Sequence, residues 1–182
     1  MFGIPMHPLV VHFPIVLAVL LPISAVLALV AIGKGTHARR AWAVPLALAA
    51  ALSLSAFVAT QTGDQEEDKV ERIVGDDPMH AHEEAGEQFL VLSGILLLVM
   101  GAGLLPKTIG TAARLVATAG AVGLIAAAVQ VGHSGGKLVY QHGAASAYTN
   151  GAQAELAGTS RGEGAEASTN GTAPTTADDD SK

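Results

Sequence analysis

Histidines are the residues of this 182-residue chain whose side chains could do chemistry, because the sequence contains seven of them and no cysteine. The missing cysteine excludes disulfides, zinc–thiolate sites, thiolate-held iron–sulfur clusters and cysteine nucleophiles. Imidazole is therefore the main candidate ligand for a transition metal or a haem iron. Six of the histidines lie near the ends of long apolar segments: His7, His12, His80, His82, His133 and His142.

Four apolar segments predict the helices that position these histidines. The chain is 50% hydrophobic and only 14% charged, whereas a soluble domain is about 25% charged. A helix rises about 1.5 Å per residue, so roughly 17–25 apolar residues cross the ~30 Å hydrocarbon core of a bilayer. We predict an all-α bundle of four transmembrane helices, the first of them retained rather than cleaved as a signal peptide. The predicted spans are about 9–32, 41–60, 85–105 and 112–131.

Charge is segregated along the chain, and this predicts the orientation of the helices. All 16 acidic residues lie in two blocks, 64–87 and 155–180. The short loops 33–40 and 106–114 carry only basic charges, and short basic loops stay on the cytoplasmic side of a membrane. We therefore expect a multi-pass protein of the inner cell membrane with both termini outside, where the six histidines would also lie. The acidic segments would repel phosphate, so no nucleic-acid partner is expected.

The last part of the chain differs in composition from the predicted bundle. From about residue 144 it consists mainly of Gly, Ala, Ser, Thr and acidic residues, and such a segment buries too little apolar surface to offset the entropy of ordering. We predict a four-helix membrane domain over residues 1–143 and a disordered acidic tail over residues 144–182.

A site shared by several histidines must draw them from different helices. His7 and His12 are five residues apart, about 140° around a helix axis, and so diverge. His12 lies one turn inside the hydrocarbon, where an ionisable side chain faces the bundle interior or a polar cavity. We predict His12 and His82 as the ligand pair. His133 would substitute for either, and His7 and His142 would form hydrogen bonds around the site.

Two motifs at the ends of the predicted bundle resemble those of a known family. His7–Ile15 (HPLVVHFPI) is similar to the HPxxVHFPIAL opening of a family of small four-helix bacterial membrane proteins of unknown function. Gly132–Gly143 (GHSGGKLVYQHG) is similar to its GGxLVYxHG close, and Thr62-Gly63-Asp64 fits its TG-x-D step. The resemblance covers about residues 4–143. Relatives occur joined to, or near, Rieske-type and c-type cytochrome domains and resemble b-type membrane cytochromes, which implies a redox or haem-binding role.

The leading hypothesis is a membrane b-type haem protein that transfers electrons near the outer face. Two histidines on opposite sides of a haem b give an electron-transfer centre, and glycines near this end would leave room for a porphyrin or for close helix contact. Asp64 or Lys137 would supply polar contacts at its rim. The acidic loop and tail would attract a basic partner, such as a soluble cytochrome or a Rieske-type protein.

Two alternatives of other classes stay open. The same histidines, with Asp64, Glu83 or Glu84, would form a metal-ion site at the outer face, although no ionisable residue near the middle of a span marks a transport path. A non-catalytic assembly or interaction subunit is the third hypothesis, with the histidines satisfying helix ends. Whether the chain has catalytic activity of its own stays open, since no serine lies in a nucleophile elbow.

Overall fold

A computed structural model describes residues 6–147, and this part of the chain folds into α-helices connected by short turns. Its four longest apolar helical stretches are each long enough to cross a membrane, which confirms the predicted all-α, four-span architecture. The compact unit covers Met1–Ala144. The predicted tail beyond residue 147 lies outside the described residues. The helices are α1 (Met6–Val10), α2 (His12–Gly33), α3 (Ala38–Asp64), α4 (Glu67–Val74), α5 (Asp76–Ala102) and α6 (Lys107–Tyr140).

The helices extend further at the histidine-bearing end than the sequence predicts. α5 begins at Asp76 rather than near residue 85, and α6 continues to Tyr140 rather than ending near residue 131. Apolar length detects only the part of a helix that lies in hydrocarbon, whereas backbone hydrogen bonding continues into the polar sequence beyond it. The short helix α4 was not predicted, because it lies in the acidic loop and buries only Val70.

The four long helices pack around a core in which alanines alternate with a few large side chains such as Leu21, Leu52 and Met100. α2 lies against α3 and α6, and α5 lies against α3 and α6. Small residues let helices approach closely in a membrane, where the hydrophobic effect does not drive them together. Many other large apolar side chains point outward, with Leu54 65% and Leu98 76% exposed, as expected for a surface that faces lipid. The buried alanines are Ala18, Ala25, Ala28, Ala49, Ala56, Ala117 and Ala121.

The turn between α5 and α6 is fixed by a tryptophan from α3. Trp42 is completely buried, and its indole N–H donates to the carbonyl of Met100 at 2.9 Å. Gly103 lies directly against this indole, since a Cβ at Gly103 would collide with Trp42 Nε1 and lie 2.9 Å from Cδ1. A side chain larger than hydrogen at position 103 is therefore incompatible with the observed position of Trp42.

Two arginines donate to the same turn. Arg114 is only 7% exposed, and it donates to the carbonyl of Gly103 at 2.7 Å and to Thr111 Oγ1 at 3.1 Å. Arg39 Nε donates to the carbonyl of Leu104 at 3.4 Å. We call this end of the bundle, built by residues 33–42 and 100–114, the basic end. The opposite end, where α2 and α5 begin and α3 and α6 finish, is the histidine end.

Candidate functional site: a histidine pair

His82 is held on α5 by a hydroxyl of α6. Its Nδ1 lies 2.9 Å from Ser134 Oγ, and Ser134 donates its own hydrogen to the carbonyl of Val131 at 3.0 Å. When Ser134 donates to Val131, its Oγ accepts from His82, and the proton of the imidazole then lies on Nδ1. Gly135 makes this approach possible, since a Cβ there would lie 3.0 Å from His82 Cε1.

His7 is held in the same manner by the end of α3. Its Nδ1 lies 2.8 Å from the carbonyl oxygen of Ala59. A carbonyl can only accept, so Nδ1 of His7 carries the proton as well. Gly63 lies against this ring, with a Cβ there at 3.3 Å from His7 Cε1. Glu66 fixes the start of α1, because its carboxylate accepts from the backbone N–H of Met6 at 2.7 Å.

The two rings lie next to each other at the histidine end, one edge toward the other. We call His7 and His82 the histidine pair. Their centroids are 6.1 Å apart, and the ring planes are nearly perpendicular at 82°. Both rings are partly buried. When both Nδ1 atoms carry the proton and donate within the protein, Nε2 of each ring keeps its lone pair. The arrangement leaves two imidazole nitrogens available as ligands.

The structure brings His82 together with His7. His82 was predicted as a ligand, whereas His7 was predicted only to form hydrogen bonds around the site. His12, the other predicted ligand, begins α2 and is exposed, as are His133 and His142. Within residues 6–147, the hydrogen bonds and the ring contact of the histidine pair involve none of these three. α6 continues through Gly135 and Gly136, so His133 is not turned toward His142.

The remaining polar candidates lie on the surface. His80 is exposed and pairs with Glu83 on its own helix, at 3.3 Å between Nδ1 and Oε2. Asp64 and Lys137, predicted at the rim of a cofactor, are exposed. Over residues 6–147, no group of three His, Asp or Glu side chains converges closely enough to hold a metal ion. The metal-ion hypothesis therefore has at most two protein ligands in this part of the chain.

Glycines leave open surface beside the pair. A Cβ at Gly86, Gly132 or Gly136 would meet no neighbouring atom within 4 Å. Gly86 lies one turn after His82 on α5, and the other two flank Ser134 and Gly135 on α6. These positions differ from Gly63 and Gly135, where an added Cβ would lie within 3.3 Å of an imidazole, which would have to shift.

Carboxylates from three helices gather next to this end. The pKa of Glu67 on α4 is raised, mainly by the negative charge of Glu83 on α5, then by its burial and by the nearby Glu71, Asp64 and Asp68. Like charges at short distance disfavour ionisation. The histidine end therefore carries a strongly negative rim, whereas the basic end has no acidic residue in the segments that build it.

Two of the residues that hold the pair, Ser134 and Gly63, were not singled out from the sequence, whereas Gly135 is one of the glycines expected to allow close helix contact or to leave room for a porphyrin. All three lie in the motifs quoted above, in which Gly63 follows Thr62 and Gly135 follows Ser134. The available signal was the position of small residues inside motifs that also carry histidines. Their role as contacts of an imidazole depends on the register between helices, which the sequence pattern does not contain.

The comparisons with known proteins agree with the architecture. The family described as "Predicted membrane protein (DUF2231)", a domain of unknown function, matches residues 3–147, which is most of the chain. Neither the curated proteins nor the solved structures provide a match. The family match spans all four candidate transmembrane helices and both end motifs. The chain therefore belongs to the DUF2231 family of predicted membrane proteins.

Proposed function

We propose that the histidine pair binds the iron of a b-type haem and that the protein is a membrane electron-transfer component. The observation that carries the proposal is that both Nδ1 atoms lie at hydrogen-bonding distance from protein oxygens, Ala59 O and Ser134 Oγ. With the proton on Nδ1, both Nε2 atoms are left with a lone pair. Metal-ligating histidines almost always donate their other ring N–H to a carbonyl, a carboxylate or a water, which fixes the tautomer and the ring orientation. His7 bonds in this way to a carbonyl and His82 to a hydroxyl.

The separation of the rings supports two ligands on one metal. A metal–nitrogen bond is about 2 Å long, so one metal would reach both imidazoles only if the two rings lay within a few ångströms of it. The observed separation is 6.1 Å. A nearly perpendicular pair of rings is compatible, because each ring can rotate about its bond to the metal. The open surface at Gly86, Gly132 and Gly136 supports a planar group beside the pair.

The donor set favours haem over a bare metal ion. A haem iron needs only two axial protein ligands, whereas structural zinc sites use four and catalytic zinc sites three. In the described chain, no third His, Asp or Glu joins the pair. When bound, a haem with two imidazole ligands supplies one-electron transfer. Ala59 and Ser134 would hold the ligand rings in place, and the negative rim would attract a basic soluble redox partner.

The first experiment is an absorption spectrum of the full chain, purified in detergent from cells supplied with a haem precursor. We expect a Soret band, with sharp α and β bands after reduction by dithionite. A spectrum without visible bands would overturn the proposal, and metal analysis of the same sample would then test the metal-ion alternative. Protein with neither haem nor metal would leave the histidines with a structural role.

Single substitutions identify the ligands. We expect His7→Ala and His82→Ala each to abolish the low-spin spectrum. His12→Ala and His133→Ala are matched controls, because both side chains are exposed and lie outside the pair. Retention of the spectrum in both pair variants would exclude the pair as ligands. Loss only in His12→Ala would instead support the ligand predicted from the sequence.

A further inference from the structure

The basic end carries an open groove on its lipid-facing side that is independent of the histidine pair. Its volume is about 620 Å³, within the range of about 300–1,000 Å³ of small-molecule sites. One wall is the surface of α3, where three exposed alanines at i, i+4 and i+7 form a shallow strip. The other wall is the α5–α6 turn. The lining includes Arg39, Ala43, Ala47, Ala50, Leu104 and Leu105.

The groove combines one cationic group with a long apolar floor. Arg39 Nε makes a single long hydrogen bond, to the carbonyl of Leu104 at 3.4 Å. The terminal nitrogens of this exposed guanidinium donate to no other residue of the described chain, so they are free to bind a phosphate in a bidentate manner. From Ala43 to Ala50 the floor extends about 10 Å along the helix. A ligand that matches both parts has an anionic head and an apolar tail.

The charge of this end requires an anion from outside the bundle. The segments that build it carry five cations and no Asp or Glu. Buried Arg114 itself finds only neutral acceptors, the carbonyl of Gly103 and the hydroxyl of Thr111. Anionic lipids attract basic segments that lie next to the membrane. The cations are Lys34, Arg39, Arg40, Lys107 and Arg114.

We propose that this groove binds one anionic phospholipid, with the lipid phosphate at Arg39 and an acyl chain along Ala43, Ala47 and Ala50. A soluble anion would satisfy Arg39 but would leave the apolar floor uncovered. A zwitterionic lipid would cover the floor but would bring no net negative charge to an end that has only cations. The phospholipid with a net negative charge satisfies both parts of the groove.

Trp42 provides the measurement, because it is the single tryptophan of the chain and lies on α3 next to Ala43. The full chain is reconstituted into phosphatidylcholine vesicles that contain an equal amount of bromine on the acyl chains of either phosphatidylglycerol or phosphatidylcholine. Bromine quenches indole fluorescence on close approach. We expect brominated phosphatidylglycerol to compete for the groove about fivefold better, which corresponds to one basic contact with an anionic lipid. Equal quenching by the two lipids would overturn the proposal.

Two pairs of variants separate the groove from general surface charge. Arg39→Gln should abolish the preference, whereas Arg40→Gln removes the same charge outside the groove and should retain it. Ala47→Leu fills the floor and should also abolish the preference, whereas Ala51→Leu, at an exposed position outside the groove, should not.

The emission maximum of Trp42 without bromine reports whether each variant is folded. Equal losses in Arg39→Gln and Arg40→Gln would contradict a specific site. A change of oligomeric state in Ala47→Leu, without any lipid preference in the natural protein, would assign the groove to a second copy of the chain.

Discussion

Both ends of the bundle are held by side-chain hydrogen bonds to a neighbouring helix or turn, but they differ in whether the donating side chain keeps a further nitrogen that can bind a ligand. At the basic end, Trp42 and Arg114 donate to carbonyls of a single turn. An indole has one N–H and no acceptor, and a guanidinium stays protonated. At the histidine end, His7 and His82 also donate to neighbouring helices, but each imidazole keeps a second nitrogen with a lone pair.

The hydrogen bonds of Trp42 and Arg114 therefore only hold the helices in place, whereas those of the histidine pair also leave nitrogens that can bind a ligand. Neither Trp42 nor Arg114 has a lone pair that could bind a metal, and the histidine of the basic end, His37, is exposed and directly precedes α3, outside these bonds. In the histidine pair, each imidazole has a second nitrogen that can bind a metal while the ring stays fixed. Both ends rely on glycine for close approach, Gly103 against Trp42 and Gly135 against His82, so the two glycines allow the ends to be compared by equivalent substitutions.

The largest expected effect is that of Gly103→Ala. The added methyl would collide with the indole of Trp42 and would also lie 2.9 Å from the carbonyl oxygen of Met100. Overpacking together with loss of the indole hydrogen bond should lower the free energy of unfolding by about 3 kcal/mol. Gly101→Ala is the control, because a Cβ at Gly101 meets nothing within 4 Å. Thermal unfolding in detergent, followed by circular dichroism, measures both. Equal stability of the two variants would show that the basic end is not tightly packed.

A smaller effect is expected from Gly135→Ala at the other end. The new Cβ would lie 3.0 Å from His82 Cε1, but a partly exposed imidazole can shift more easily than a buried indole. We expect a loss of about 1 kcal/mol. Gly136→Ala should be neutral or stabilising by up to about 1 kcal/mol, because its Cβ has open space and alanine favours a helix. If the two variants unfold at the same temperature, the ring of His82 is not fixed by α6.

Much of the architecture could be predicted from the sequence, since it depends on lengths and compositions. Four apolar segments identify four transmembrane helices whatever the details of their packing. The basic loops predict an orientation, which stays a prediction. The ends of the helices could be predicted less well from the sequence, because α5 begins at Asp76 and α6 ends at Tyr140, both in polar sequence. Hydrophobicity does not mark where a helix ends once it has left the membrane.

The site was predicted only at the level of residue type and location. His82 could be identified because a helix begins near it, and the requirement for ligands from different helices agrees with a pair formed by α1 and α5. The choice of His12 followed from its depth in the first apolar run. In the structure His12 is exposed, whereas His7 lies next to His82. Val11 keeps helical backbone angles and its N–H donates to the carbonyl of His7, so Met6–Gly33 is one continuous helical stretch. The five-residue spacing therefore turns His12 away from His7, and the apolar run alone does not show which of the two lies next to α5.

The smallest expected effect concerns the charge that distinguishes the two ends. The pKa of Glu67 is raised above its ordinary value, mainly by Glu83, so the folded protein binds more protons than the unfolded chain in the pH range between the ordinary and the raised values. Stability therefore falls as the pH rises through that range. Glu67→Gln removes the repulsion and should be slightly more stable than the natural protein at neutral pH, but not below the ordinary pKa of a glutamate, where the carboxyl is protonated in both states.

Thermal unfolding at several pH values measures this gain, and salt should reduce it because Glu67 is solvated. Glu87→Gln removes one charge outside the carboxylates that act on Glu67, so an equal gain in that variant would assign the effect to net charge rather than to the rim of the histidine end.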